Sequence, residues 1–113
     1  MSECIFCAIV SGEAEGDIIY RDEDVTAFRD INPVAPTHIL IVPNRHVNAI
    51  TELEESDLEL LGRIVLLAPK IAQQAGIVSS GYRLSVNQGR DAGQIVDHLH
   101  WHVIGGAPLG PLG

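Results

Sequence analysis

The segment His98–Ile104 constrains the fold more than any other part of the chain. Its sequence, HLHWHVI, alternates between histidine and large apolar side chains as far as Val103. Because successive side chains of a β-strand point to opposite faces, a strand here places His98, His100 and His102 on one face. The residues between them are apolar and are expected to face a core: Leu99, Trp101 and Val103. We therefore predict a strand over 98–104 that is buried on one face and carries imidazoles on the other.

The remaining sequence predicts four more strands and two helices. Apolar runs at 18–20 and 25–28, separated by an acidic turn, indicate a hairpin, and further strands are predicted at 38–42 and 82–87. Residues 4–10 predict a short helix that Gly12 ends.

A long helix is predicted where apolar residues recur at three- and four-residue spacing, from Leu60 to Ala75. Its start is predicted by a capping box over 56–59. Pro69 lies inside it and is expected to kink it or to end a first segment near Ala68.

Together these elements give an α+β fold class: a five-stranded, mainly antiparallel sheet with one long and one short helix. A chain of 113 residues that is 46% hydrophobic suits one core, so we expect a single domain over 1–113. Glycine and proline are frequent towards the end of the chain, which predicts an extended C-terminal tail over about 105–113.

Charge and hydropathy argue against several kinds of partner. The formal net charge of -8 opposes binding to phosphate backbones and anionic lipid, so we expect no nucleic acid and no membrane as partners. The apolar runs are far shorter than the ~20 residues of a spanning helix, and residues 1–3 lack a basic segment. We therefore expect a cytoplasmic protein.

Three alternating histidines favour a functional site over an ordinary polar strand face, because imidazole accepts, donates and ligates near neutral pH. A catalytic metal and metal-free histidine catalysis are both compatible with the pattern. Asn87 and the backbone N–H groups around 93–95 are donors that a phosphate group needs, which favours the metal-free alternative. Taken alone, Asn87 also fits a turn residue whose hydrogen bonds are satisfied locally.

Cys4 and Cys7 form a C-x-x-C motif with three interpretations: two buried small residues, a redox pair, or half of a tetrahedral zinc site. The redox interpretation expects the motif after a strand, whereas here it lies near the start of the sequence. The zinc interpretation needs two more ligands, which the histidines of the chain can supply.

The motif His98-x-His100-x-His102-Val-Ile-Gly-Gly, preceded by Asn87-Gln-Gly and Ala92-Gly-Gln, resembles the histidine-triad (HIT) hydrolase family, and its Hint-like branch most closely. The segments 28–38, 42–46 and 81–83 resemble family segments in the same order. The resemblance covers nearly the whole chain and implies a HIT-like fold, a single HIT domain and a homodimer.

The resemblance also implies an activity, the hydrolysis of purine nucleoside 5'-phosphoramidates or related adenylates through a nucleotidyl-histidine. His100 corresponds to the nucleophile, His102 to a phosphate donor, and His38 to a supporting residue. The positions that correspond to binding of the AMP-like substrate are Phe6, Ile9, Phe28, Asp30, Ile31, Asn87, Gly93, Gln94 and Ile95. Ile95 departs from the family, where serine or threonine is frequent. The alternative is a nucleotide-binding regulatory or adaptor protein with weak or no catalysis.

Bacterial members with an N-terminal C-x-x-C bind zinc, and the matching ligands here are Cys4, Cys7, His46 and His98. A site with four protein ligands has no open position, so the zinc is structural and His98 is a ligand rather than a catalyst. We expect no organic cofactor, since no second cofactor motif is present.

Overall fold

The computed structural model describes residues 4–112; residues 1–3, whose composition entered the argument about location, and residue 113 lie outside the described residues. The helices are α1 (Ile5–Ser11) and α2 (Leu58–Gln74). The strands are β1 (Ile18–Arg21), β2 (Val25–Arg29), β3 (Thr37–Pro43), β4 (Tyr82–Val86) and β5 (Trp101–Gly105). Short 3₁₀ turns cover Ile50–Glu52, Glu55–Asp57 and Arg90–Ala92. The predicted α+β class, with five strands and one long and one short helix, is confirmed.

The strands form one sheet in the order β1-β2-β3-β5-β4, and all neighbouring strands are antiparallel. β3 is buried along its whole length because it lies in the centre of the sheet. Its pairing with β5 sets Leu40 opposite His102 and His38 opposite Ile104. This register brings a histidine from the first half of the chain beside the histidines that precede and enter β5.

Each face of the sheet is covered by one helix. Helix α2 packs its buried residues, Ile64 and Ile71 among them, against the apolar side chains predicted to face a core: Leu99, Trp101 and Val103. On the other face, Phe6 and Ile9 of α1 pack against a small apolar cluster from β2 and β3: Phe28, Leu40 and Val42. Leu40 belongs to this second face, so its cross-strand partner His102 does too. The alternation predicted for β5 is confirmed.

The hydrogen-bonded part of β5 begins at Trp101, three residues later than predicted. The backbone before it bonds elsewhere, since the Leu99 N–H donates to the Val47 carbonyl at 2.7 Å. The His98 ring also bonds the carbonyl of Pro43, the last residue of β3, at 2.8 Å. Residues 98 and 99 are therefore held by the end of β3 and by Val47 in the segment that follows it.

Helix α2 begins differently from the prediction, which placed a capping box over 56–59. The carboxylate of Asp57 instead accepts from the Glu54 N–H at 2.9 Å and from Arg45 at 3.1 Å. The Glu54 N–H and Arg45 lower the pKa of Asp57, against the opposing effect of burial. These bonds order a 3₁₀ turn over Glu55–Asp57 that leads directly into the helix at Leu58.

Of the two outcomes predicted for Pro69, the end of a helical segment near Ala68 is wrong, and a kink stays a prediction. Helix α2 continues through Pro69 to Gln74. Proline costs the helix one backbone hydrogen bond, but Ile71 and Ala72 beyond it are buried against the sheet. Their packing holds the last turns of the helix in place.

Within residues 4–112, no helix has both the length and the apolar character that crossing a bilayer requires.

Replacing Pro69 with alanine is expected to raise the free energy of unfolding by about 1–3 kcal/mol. The substitution restores a backbone donor to the interior of α2 and removes little packing, because Pro69 is exposed. Urea unfolding measures the change, with Lys70→Ala, the next exposed helix position, as the matched control near zero. An unchanged or lower value for Pro69→Ala would show that the proline carries no cost here.

Candidate active site and metal centre

The three histidines at and before β5 lie where the sheet meets α1. His98 and His100 are buried, and His102 is partly buried. The His100 ring stands edge-on to Phe6, with ring centroids 5.1 Å apart, and 5.0 Å from the His102 ring. The His100 and His102 rings are therefore neighbours, and Phe6 contacts both His98 and His100.

The protonated nitrogen of His100 is fixed by a backbone carbonyl. Nδ1 of His100 lies 2.7 Å from the carbonyl oxygen of His98. A carbonyl oxygen only accepts, so the proton of the neutral ring is on Nδ1. Nε2 therefore carries the lone pair, which is the form in which imidazole acts as a nucleophile.

His38 fixes the tautomer of His102 in the same manner. The Val34 N–H donates to Nδ1 of His38 at 3.2 Å, so the proton of neutral His38 is on Nε2. That Nε2–H donates to Nδ1 of His102, 2.9 Å away. Nε2 of His102 is left as the protonated nitrogen, able to donate to an oxygen of a bound ligand.

Burial keeps this pair of rings neutral. It lowers the pKa of His102 to about 4, with a further lowering from His100 and His38 and an opposing effect from Asp30. Burial likewise lowers the pKa of His38, again against the Asp30 carboxylate. Both rings are therefore uncharged at pH 7, as the chain of single protons through them requires.

Asp30 borders the pair at the end of β2. One carboxylate oxygen accepts from the Asn32 N–H at 2.8 Å, and the other lies 3.4 Å from Nε2 of His38. The side chain is 21% exposed, so it is accessible to a ligand that lies against the histidines. A partly exposed carboxylate of this kind accepts hydrogen bonds from hydroxyl groups.

The four predicted metal ligands form a cluster that includes His98 and lies beside His100 and His102. The donor atoms of Cys4, Cys7, His46 and His98 all lie within 4.8 Å of one another. Nδ1 of His98 is 3.4 Å from the Cys4 sulfur and 3.5 Å from the Cys7 sulfur, and Nδ1 of His46 is 3.2 Å from the Cys7 sulfur. Tetrahedral zinc sets sulfur and nitrogen donors about 3.5 Å apart, so these residues fit the ion.

The second nitrogens of the two histidine ligands also fit a metal centre. Nε2 of His98 donates to the Pro43 carbonyl at 2.8 Å, and Nε2 of His46 bonds Oδ1 of Asn48 at 2.8 Å. These bonds place the protons on Nε2 and leave both Nδ1 lone pairs directed at the cysteines.

Asp30, His38 and His102 also bring their donor atoms within 4.8 Å, but their hydrogen bonds do not suit a metal. A neutral His38 that ligates through Nε2 carries its proton on Nδ1. That proton would oppose the Val34 N–H, which already points at Nδ1. The group is therefore a hydrogen-bonded chain rather than a metal centre.

The predicted nucleotide-binding residues are only partly brought together. Phe6, Ile9 and Phe28 share one apolar cluster, and the two phenylalanine rings are 5.3 Å apart. Ile31 and Ile95 lie outside it and are 88% and 92% exposed. The three residues that do come together, from α1 and β2, are buried.

The loop between β4 and β5 is ordered by its own side chains. Asn87 donates to the Ala92 carbonyl at 2.6 Å. The Gln94 amide accepts from the Gly89 N–H and donates to the carbonyls of Asn48 and Val96. Gly93 has a φ of 83°, which favours glycine. The N–H groups of Gly93 and Gln94 donate to the Arg90 and Gly89 carbonyls at 3.0 Å and 3.1 Å. The side chain of Gln94 and both of these N–H groups are therefore engaged within the protein.

Sequence reasoning missed the groups that fix the tautomers. The Val34 N–H and the Pro43 carbonyl are backbone atoms, which leave no mark in the sequence. Asn48 carried a weak signal, since it lies two residues after His46 and has a side-chain acceptor.

Replacing His102 with glutamine is expected to reduce the loss of stability on acidification. Because the folded pKa of His102 is about 4, below the unfolded value near 6.5, the unfolded chain binds the proton more readily between these values. Wild-type stability therefore falls as the pH drops from 6.5 to 4, and this fall should be smaller by about 2 kcal/mol in His102→Gln. Urea unfolding at several pH values measures this difference. Identical pH dependence of stability in the wild type and His102→Gln would refute the lowered pKa of His102.

Comparison with known proteins agrees with this geometry. Residues 11–109 match the HIT domain family. Purine nucleoside phosphoramidase of Escherichia coli (strain K12) is 49% identical over 110 residues, covering 97% of this chain and 92% of that protein.

Solved structures give the same result. The crystal structure of a HIT family hydrolase from Legionella pneumophila Philadelphia 1 superposes with a TM-score of 0.94 at 42% identity, covering 98% of this chain and 100% of that one. A Zn-bound histidine triad family protein from Mycobacterium smegmatis superposes with a TM-score of 0.78 at 32% identity, covering 90% of this chain and 73% of that one. The resemblance inferred from the motifs is confirmed, and the chain belongs to the histidine-triad (HIT) family.

Proposed function

We propose that this protein hydrolyses purine nucleoside 5'-phosphoramidates and related adenylates through a nucleotidyl-histidine on His100. The observation that carries the proposal is the bond from Nδ1 of His100 to the His98 carbonyl, which leaves the Nε2 lone pair as a nucleophile. The activity of the Escherichia coli relative, a purine nucleoside phosphoramidase, supports the substrate class.

The reaction has two displacements at phosphorus. Nε2 of His100 bonds to the α-phosphorus as the P–N bond breaks, and the departing amine takes up a proton. Water then attacks the same phosphorus, releases AMP and restores the lone pair of His100. The proton that water loses in the second step balances the one that the amine gained in the first.

The surrounding donors stabilise the phosphate during both steps. Nε2–H of His102 is directed by the bond from His38 and donates to a phosphate oxygen. Asn87 supplies a further donor, because only one of its two amide protons is bonded to the Ala92 carbonyl. Because these donors are held in place before the substrate binds, little reorganisation is needed in the transition state.

The ribose and the base of the substrate are proposed to bind to the same surface. Asp30 accepts from the ribose hydroxyls, since its carboxylate is partly exposed beside the histidines. The base lies against the apolar cluster of Phe6, Ile9 and Phe28. Ile31 and Ile95 are exposed at the border and contact the substrate from the solvent side.

Zinc held by Cys4, Cys7, His46 and His98 is the proposed cofactor. The spacing of the donor atoms and the bonds at both Nε2 atoms support it. The Zn-bound Mycobacterium smegmatis relative supports it as well. Four protein ligands leave no open position, so the ion serves to link α1 to the residues before β5.

A homodimer is also part of the proposal. β4 lies at an edge of the sheet, and the exposed side of α2 carries apolar residues: Leu58, Val65 and Leu66. Joining these surfaces in a second copy would bury them, which is favourable in water. The cytoplasmic location stays a prediction from the sequence.

Replacing His100 with alanine is expected to reduce AMP release from adenosine 5'-phosphoramidate by at least about 1,000-fold, because no other imidazole presents the same lone pair. In a rapid quench, mass spectrometry should detect an AMP adduct on the wild type and none on His100→Ala. Lys70→Ala, on the outer side of α2, is the control that retains both. Equal rates for His100→Ala and wild type would contradict the proposal.

Metal analysis is expected to find about one zinc per chain in the wild type. The zinc should persist in His100→Ala and His102→Ala, which leave all four ligands intact, and be lost in Cys4→Ala. If zinc were lost with His102 and kept without Cys4, the metal would belong to the group of Asp30, His38 and His102 instead.

A further inference from the structure

The cysteine–histidine cluster and the nucleophile share one residue. The side chain of His98 points into the cluster, with Nδ1 3.4 Å and 3.5 Å from the two cysteine sulfurs. The backbone carbonyl of the same residue accepts the Nδ1–H of His100 at 2.7 Å. Any force that fixes the His98 side chain therefore also fixes the acceptor that orients His100.

Phe6 provides a second connection between the cysteine–histidine cluster and His100. It lies between Cys4 and Cys7, so its position depends on where those cysteines are held. Its ring is edge-on to both His98 and His100, at centroid distances of 5.9 Å and 5.1 Å and interplanar angles of 68° and 82°. Phe6 is 7% exposed, so it fills the space beside the His100 ring and restricts its rotation.

Helix α1 needs contacts with the rest of the protein to hold its position. A helix of seven residues is not stable by itself in water, and its position is set by what holds it to the sheet. Its apolar contacts and the Arg21 bonds to the Ile9 and Val10 carbonyls help to fix the helix on the sheet. The two cysteines tie the first turn to residues directly before β5.

We propose that the cysteine–histidine cluster positions the nucleophile, with His98 and Phe6 as positioning residues for His100. His98 acts through its carbonyl, and Phe6 acts through its ring. The inference rests on the proposed function, because it assigns these residues to the orientation of the attacking Nε2. Zinc bound by the cluster then affects the rate of the chemical step without touching the substrate.

A positioning role predicts a change in kcat. Misplacing a reacting group by about 1 Å costs up to about 100-fold in rate, whereas binding of the nucleotide by other residues is retained. A role for Phe6 in contacting the base alone would instead change KM and leave kcat unaltered.

The first test compares Phe6→Leu with Phe28→Leu. Both substitutions remove one aromatic ring from the same apolar cluster, but of these two only the Phe6 ring contacts His100. We expect both variants to raise KM for adenosine 5'-phosphoramidate to a similar extent, and Phe6→Leu alone to lower kcat by about 10-fold or more. Equal kcat values for the two variants would overturn the role of Phe6.

The second test observes His100 directly, in protein labelled with ¹⁵N at histidine. In the zinc-loaded wild type, the hydrogen-bonded Nδ1–H of His100 should give a resolved signal. In Cys7→Ser, shown by metal analysis to lack zinc and by circular dichroism to be folded, that signal should broaden or move to Nε2–H. Ser11→Ala, which alters the same helix away from the cluster, should leave it unchanged. An unaltered His100 signal in zinc-free, folded Cys7→Ser would overturn the proposal.

The two tests separate the inference from the function on which it rests. If the wild type does not turn over the phosphoramidate, the proposed function fails, while the His100 signal still reports whether the cluster orients the ring. If Cys7→Ser does not fold, the Phe6 and Phe28 pair decides the question, because neither residue is a metal ligand.

Discussion

Every buried imidazole in this protein must satisfy two nitrogens with a single proton, and the rest of the site depends on how that constraint is met. The His98 carbonyl accepts a hydrogen bond from Nδ1–H of His100 and leaves Nε2 of that ring unprotonated. The Val34 N–H sets His38, which in turn sets His102 as a donor. The Pro43 carbonyl directs the lone pair of His98 to the cysteines. One residue type can therefore fill the three proposed roles of nucleophile, donor and metal ligand, because different backbone groups select its tautomer.

The sequence predicts which histidines share one face of a strand, but it does not predict which distant residues contact them. Strict alternation over 98–103 was enough to assign one face to the core and one to chemistry, and the family motifs supplied the candidate ligands. The register of β3 against β5, which brings His38 to His102, depends on pairing between distant segments. The tautomers depend on backbone atoms of Val34 and Pro43, which any side chain at those positions would offer.

The two errors at α2 have a related physical cause. The capping signal over 56–59 and the proline at 69 are local features, and each was overruled by a contact made outside the helix. Asp57 bonds Arg45 and the Glu54 N–H before the helix begins. Beyond Pro69, burial of Ile71 and Ala72 against the sheet outweighs the lost backbone bond. Local propensity decides helix ends only where tertiary packing does not.

The acidic charge of the chain is compatible with a phosphate-bearing substrate, because binding of a single phosphate depends on local donors. A net charge of -8 acts over the whole surface and repels long polyanions, while one phosphate is bound by donors in contact with it. Burial holds the pKa of His102 near 4 and lowers that of His38, so His102 offers an N–H dipole rather than a cation, and the N–H of His38 is bonded to His102. In the proposed function, neutral donors hold the phosphate without placing a formal positive charge beside His100, where it would draw electron density from the attacking lone pair. The phosphate is then bound by oriented dipoles, whose geometry is fixed before it arrives.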